Sequence, residues 1–215
     1  MTKHVAKFID KIDIDRCFVV GSSLGSFLGC LLYFERQKQV ERLVIGALHH
    51  PVSNTGSLDP VSLRAVMANG IKAMTGASWQ ACINRIGNIC FDRNCPASEL
   101  AFMQTTIYAQ HDRLTAYREL GENFIKHVGN DKVRIDPERI KIPTLFLSGR
   151  EDIRVNVELL TTAYKKVPGA KLSLIDKCGH LPELEHPATY VDRLRTFFNA
   201  TTSTEASQSE SASGR

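Results

Sequence analysis

The sequence predicts an α/β fold in which a parallel sheet is flanked by helices and a helical cap is inserted between two strands. Three observations predict it. Short, mainly apolar runs stand at 17–20, 41–48, 143–148 and 171–175, as expected of strands covered on both faces. Helical patterns separate them, and strands alternating with helices imply parallel pairing. From residue 49 to about 139 there is no comparable β-branched run, only several helical stretches, and that marks the insertion.

Taken in order, Val5, Phe8, Ile9 and Ile12 recur at i, i+3, i+4 and i+7, so residues 2–12 read as an amphipathic helix laid on a core. Residues 17–20 form the first strand, after which a helical pattern restarts over 24–37. The second strand is 41–48, ERLVIGAL. Residues 60–74 and 98–121 are the clearest helices of the insertion. The third and fourth strands, 143–148 and 171–175, flank a helix near 156–166, and a last helix over about 187–199 opens with proline. Residues 200–215 are small and polar with nothing to bury, which predicts a disordered tail. The domain reading is therefore 1–199, with a cap at about 50–139 and no internal repeat.

Bulk properties narrow the function. A chain of 215 residues with 43% hydrophobic and 23% charged positions suits one globular domain with a substantial core. Its net charge of +4 comes from 27 Lys and Arg spread among 23 acidic residues. No basic block or interleaved aromatic platform is present, so no nucleic-acid partner is expected. The six cysteines are scattered, without C-x-x-C or zinc-finger spacing, and the N-terminus MTKHVAKFID has no apolar signal segment. Free thiols and a cytoplasmic location follow as the expectation. Cys178 stands two residues before His180, but two groups do not make a four-ligand site; no metal and no cofactor are expected.

Residues 17–34 contain no charge, which reaches the lower limit for crossing about 30 Å of hydrocarbon. Gly21, Gly25 and Gly29 also spell a doubled G-x-x-x-G helix-dimer pattern. Against a span, the segment is weakly apolar in its first half, and enzyme-like strands follow it without a second span. The same residues parse as a strand ending at Val20, then Gly21-Ser22-Ser23-Leu24-Gly25, then a core-facing helix. That is G-x-S-x-G between strand and helix, in which small neighbours let a serine take a strained, positive-φ turn. No membrane span is expected.

Two further motifs follow strand ends. Ser148-Gly149-Arg150-Glu151-Asp152 comes after the third strand, and Asp176-Lys177-Cys178-Gly179-His180-Leu181-Pro182 after the fourth. Open α/β sheets place functional groups just past the C-terminal ends of their strands. The order is Ser, Asp, His. On these three motifs, residues 1–199 resemble the α/β-hydrolase family, whose triad follows this chain order, and the insertion resembles the family's cap. The resemblance implies Ser23 as nucleophile, His180 as base and acid, Asp152 as its orienting partner, and the Leu24 N–H as an oxyanion donor. It implies hydrolysis of a small molecule, with a carboxylic ester as first reading and amide, thioester or carbon–carbon cleavage sharing the nucleophile. Serine at the elbow argues against epoxide-hydrolase or dehalogenase chemistry.

Other readings stay open at this point. Ser23 could be a small residue in a tight turn, with Ser22 one position off the pattern and structural. Asp152 could cap a helix, with Glu151 as its substitute, and His180 could be a loop histidine. His49 and His50 could line the pocket or be plain loop residues. The resemblance also begins in mid-fold, at the helix before the elbow. Family members have about four strands earlier, one followed by the loop that donates a second oxyanion N–H. A fragment of a longer protein, an incomplete gene product and a chain completed by a partner are the readings this leaves, with the first strand as an unpaired apolar edge open to self-association. The competing function is a degenerate fold that binds a ligand or protein without efficient turnover.

Overall fold

The computed structural model describes residues 1–47, 60–95, 98–128 and 135–200. The predicted tail from 201 onward, His49 and His50 lie outside the described residues. In chain order the elements are α1 (Thr2–Lys11), β1 (Cys17–Ser22), α2 (Leu24–Glu35), β2 (Val40–Gly46), α3 (Pro60–Thr75), α4 (Trp79–Gly87), α5 (Ser98–Tyr108), α6 (Arg113–Val128), β3 (Thr144–Gly149), α7 (Val157–Tyr164), β4 (Lys171–Ile175), α8 (Pro182–Glu185) and α9 (Pro187–Asn199).

The strands pair in parallel in the order β1-β2-β3-β4. Their alternation divides the core into two layers. Leu43, Ile45 and Phe146 face α1, α2 and α7 through Ile9, Phe27 and Leu160. Val44, Leu145, Leu147 and Ile175 face the opposite way, against Tyr190 and Phe197 of α9. Central β3 is buried at every position, which explains the apolar run Leu145-Phe146-Leu147 at its centre. Arg42, itself buried, donates to the carbonyls of Phe197 and Ala200 at 3.0 and 2.7 Å and so pins the end of α9 to the sheet.

Strand β1 is the sheet edge among the described residues, and Phe18 and Val20 are 45% and 44% exposed despite their apolar character. The uncharged run from 17 to 34 is divided between β1 and α2. No helix among the described residues is long and apolar enough to cross a membrane.

Local details differ from the sequence reading. Helix α1 buries Ala6 and Ile9, whereas Val5, Phe8 and Ile12 stand exposed, Phe8 at 61%; the i, i+3, i+4 pattern marks an apolar face that is wider than the strip α2 covers. The predicted helix over 98–121 is two helices. A turn in which the Arg113 N–H reaches the Gln110 carbonyl at 3.1 Å separates α5 from α6. That break lets α5 pack chiefly on α4 and α6 on α3. These inserted helices have a small core of their own around Ala73, Cys82 and Tyr108. Phe124 of α6 meets Phe27 of α2 edge-on, ring centres 5.7 Å apart, and joins the inserted helices to the core layer that α2 covers.

Buried acids such as Cys30 and Tyr190 make stability pH-dependent. Burial pushes the Cys30 thiol up to about 12, and burial, with the nearby Glu183 charge second, pushes the Tyr190 phenol up to about 12. Both pKa values are raised in the folded state, so it holds protons that the unfolded chain releases. The stabilisation is present below the unfolded values, near 8.5 for Cys and 10 for Tyr, and is lost as pH rises toward 12. Urea midpoints at pH 7, 9 and 10.5 are expected to fall across this range. The slope for each group that has begun to titrate is about 1.4 kcal/mol per pH unit; a flat profile would contradict the burial argument.

Candidate active site

The site begins at the junction of β1 and α2. Ser23 has φ 52° and ψ −118°, a conformation in which L residues are strained by about 1–3 kcal/mol. The surroundings hold it there. Its N–H donates to the Gly46 carbonyl at 2.9 Å, while the Ser26 and Phe27 N–H groups return to the Ser23 carbonyl. Ser26, fully buried, both donates to the Gly46 carbonyl at 2.7 Å and accepts from the Gly46 N–H at 2.9 Å. The first turn of α2 is thereby tied to the end of β2. Sequence reasoning missed Ser26, whose only signal was a serine amid an apolar helix.

Close approach requires one glycine of the elbow. A Cβ on Gly21 would lie 2.5 Å from the Ser26 backbone. Gly25 differs from expectation, since a Cβ there meets nothing within 4 Å among the described residues. The G-x-S-x-G spacing therefore overstates the steric demand on its second glycine.

Asp152 follows β3 and His180 follows β4. The Ser23 Oγ lies 3.1 Å from His180 Nε2, and His180 Nδ1 lies 2.8 Å from Asp152 Oδ2. Both His180 and Asp152 are buried. The other Asp152 oxygen accepts from the Arg154 N–H at 2.8 Å, which fixes the carboxylate plane. Glu151 is directed elsewhere: its Oε2 accepts the Cys178 N–H at 3.0 Å, while its own N–H donates to the Cys178 carbonyl at 3.0 Å. Ser22 also points away and donates to Glu183 at 3.1 Å. Leu24 opens α2, where first-turn N–H groups have no intrahelical partner, and its N–H has no acceptor among the described residues.

The histidine turn is held from two directions. Its Gly179 N–H donates to Glu185 at 2.9 Å, and the His180 N–H donates to the Ile89 carbonyl, in the segment after α4, at 2.8 Å. Cys178 is buried, and burial first, then the negative charge of Glu185, pushes its thiol up to about 12. A neutral thiol there is not a nucleophile. A cavity of about 670 Å³ lies between α3, α4 and the segment after β3, and Lys72, Arg85 and Arg154 line it. Burial, and Arg85 beside it, lower the Arg154 pKa.

No family profile matches the chain. It is 25% identical over 187 residues to the 2-hydroxy-6-oxononadienedioate/2-hydroxy-6-oxononatrienedioate hydrolase of Cupriavidus pinatubonensis, covering 85% of this chain and 62% of that one. It is 22% identical over 200 residues to the 2-hydroxymuconate semialdehyde hydrolase of a Pseudomonas species, covering 90% and 66%. The chain thus spans less than two thirds of the length of these curated relatives. Among solved structures, a meta-cleavage product hydrolase of Pseudomonas fluorescens superposes with a TM-score of 0.72 at 19% identity, covering 92% of this chain and 70% of that one. A bromoperoxidase of Bacillus anthracis superposes at 0.70 and 16% identity, covering 93% and 73%. The parallel sheet, the serine at a positive-φ turn between β1 and α2, and these likenesses together show that the chain has the α/β-hydrolase fold.

Proposed function

We propose that this chain carries the catalytic centre of a serine hydrolase that cleaves an acyl bond of a small molecule through Ser23, His180 and Asp152. The observation that carries the reading is the continuous Ser23–His180–Asp152 hydrogen-bond chain at 3.1 and 2.8 Å, with its serine on a strained turn. In this mechanism Ser23 Oγ attacks the carbonyl carbon as His180 Nε2 takes its proton. Asp152 keeps the proton on Nδ1 and stabilises the imidazolium. The Leu24 N–H faces the developing oxyanion. His180 then protonates the leaving group and afterwards activates a water that releases the acid from Ser23.

The first reading of the bond is a carboxylic ester. A second reading has its own support, because a 2-hydroxy-6-oxo dienedioate, the substrate in the relatives' names, carries a ketone and no ester. Hydrolysis of such a compound breaks a carbon–carbon bond beside the ketone, with the same attack at an acyl carbon. Lys72, Arg85 and Arg154 line a cavity bordered by Ile153, which follows Asp152 in the chain, and by Ile89, whose carbonyl accepts the His180 N–H, and these three cations support an anionic substrate for either bond. The helices over 60–128 act as the cap in this reading, supported by the bond from the Ile89 carbonyl to the histidine turn.

A fluorophosphonate probe tests the activated serine without knowledge of the substrate. Mass-mapped labelling of Ser23, absent in Ser23→Ala, is the expected result. Paired assays with a short activated ester and a 6-oxo dienoate acid then separate the two bonds. An unlabelled Ser23 in folded protein would favour the binding-only alternative.

A further inference from the structure

We infer that Cys90, Cys95 and Glu185 form a binding site for a thiophilic divalent cation of the zinc class, joined to the histidine turn. Cys90 and Cys95 lie in the segment between α4 and α5, and Glu185 closes α8. The two Sγ atoms are 3.1 Å apart, and these sulfurs and a Glu185 oxygen all lie within 4.8 Å of one another. A tetrahedral zinc ion with bonds of about 2.3 Å spaces its thiolate sulfurs by about 3.8 Å, so the two sulfurs need to part by only about 0.7 Å to hold it. All three residues are half-buried, which leaves a path for the ion and room for a water as fourth ligand. Two sulfurs favour zinc or cadmium over magnesium or calcium, which prefer all-oxygen ligands.

The turn that brings the cysteines together is already built. The Cys95 N–H returns to the Asp92 carbonyl at 3.1 Å, and the Asp92 carboxylate accepts the Asn94 N–H at 2.9 Å. Glu185 is also oriented before any ion arrives: its two oxygens accept the Phe91 N–H at 2.6 Å and the Gly179 N–H at 2.9 Å. A carboxylate has about four lone-pair positions, so both bonds persist when one oxygen also meets the cation. The consequence is mechanical. An ion here bridges the inserted helices to the turn that presents His180, whose N–H is bonded to Ile89 one residue before Cys90.

The test does not depend on turnover. Reduced protein is titrated with Cd²⁺ while thiolate-to-metal absorption is followed, and Zn²⁺ binding is measured by equilibrium dialysis. One equivalent per chain is expected, weakened at least tenfold in Cys90→Ser and in Cys95→Ser and unchanged in Cys17→Ser. On the wild type, Zn²⁺ is expected to protect Cys90 and Cys95 selectively from alkylation, as mapped by mass spectrometry; this arm stands even if a variant misfolds. Absorption that survives in the double serine variant, equal alkylation with and without Zn²⁺, or conversion of the pair to a disulfide without metal uptake would each overturn the site.

Discussion

Ser23→Ala is expected to lower turnover of an activated ester by at least about 10⁴-fold, and Asp152→Asn by a similar factor. The two losses have different causes. In the proposed mechanism alanine removes the oxygen that would form the acyl-enzyme. Asparagine keeps the shape but presents a donor to His180 Nδ1, which drives the proton to Nε2, the atom that must accept from Ser23 at 3.1 Å. Because the residues act as one unit, the double variant is expected to be little worse than either single one. Glu151→Gln is the control. Its carboxylate meets the Cys178 N–H rather than the imidazole, so a loss below about tenfold is expected. Steady-state rates for the four proteins at one pH check this; a Glu151→Gln defect as deep as that of Asp152→Asn would assign the acid wrongly.

Gly21→Ala is expected to destabilise the fold by about 1–3 kcal/mol or more, the usual range for overpacking a tight core. Its new Cβ would meet the Cα and N of Ser26 at 2.5 Å, and backbone cannot swing aside as a flexible side chain does. The strain falls on the turn that holds Ser23, so phosphonate labelling should slow together with the drop in stability. Gly25→Ala is the contrasting case. That position lies in helix α2 with open space around its Cβ, and alanine stabilises a helix by about 0.5–1 kcal/mol relative to glycine. Urea denaturation of both variants provides the comparison, and equal losses at the two positions would refute the steric account of the elbow.

Much of this molecule was legible in the sequence because the signals are local. A run of apolar residues marks a strand whatever it packs against, and alternation with helical periodicity implies parallel pairing. For the same reason, Ser23, Asp152 and His180 were distinguishable as residues just past three strand ends. Only the tertiary structure decided matters that depend on distances between remote residues. Asp152 and Glu151 are adjacent in sequence, and their roles differ because β3 and β4 set which carboxylate meets His180 and which meets the Cys178 N–H. Ser26 reads as a stray polar residue until Gly46 of the neighbouring strand supplies both of its hydrogen-bond partners. The exposed face of α1 follows from how far α2 extends, which periodicity does not encode. Cys90 and Cys95 showed no metal-ligand spacing by themselves; Glu185 joins them because the turn after β4 folds back onto the inserted helices, a contact that no local pattern specifies.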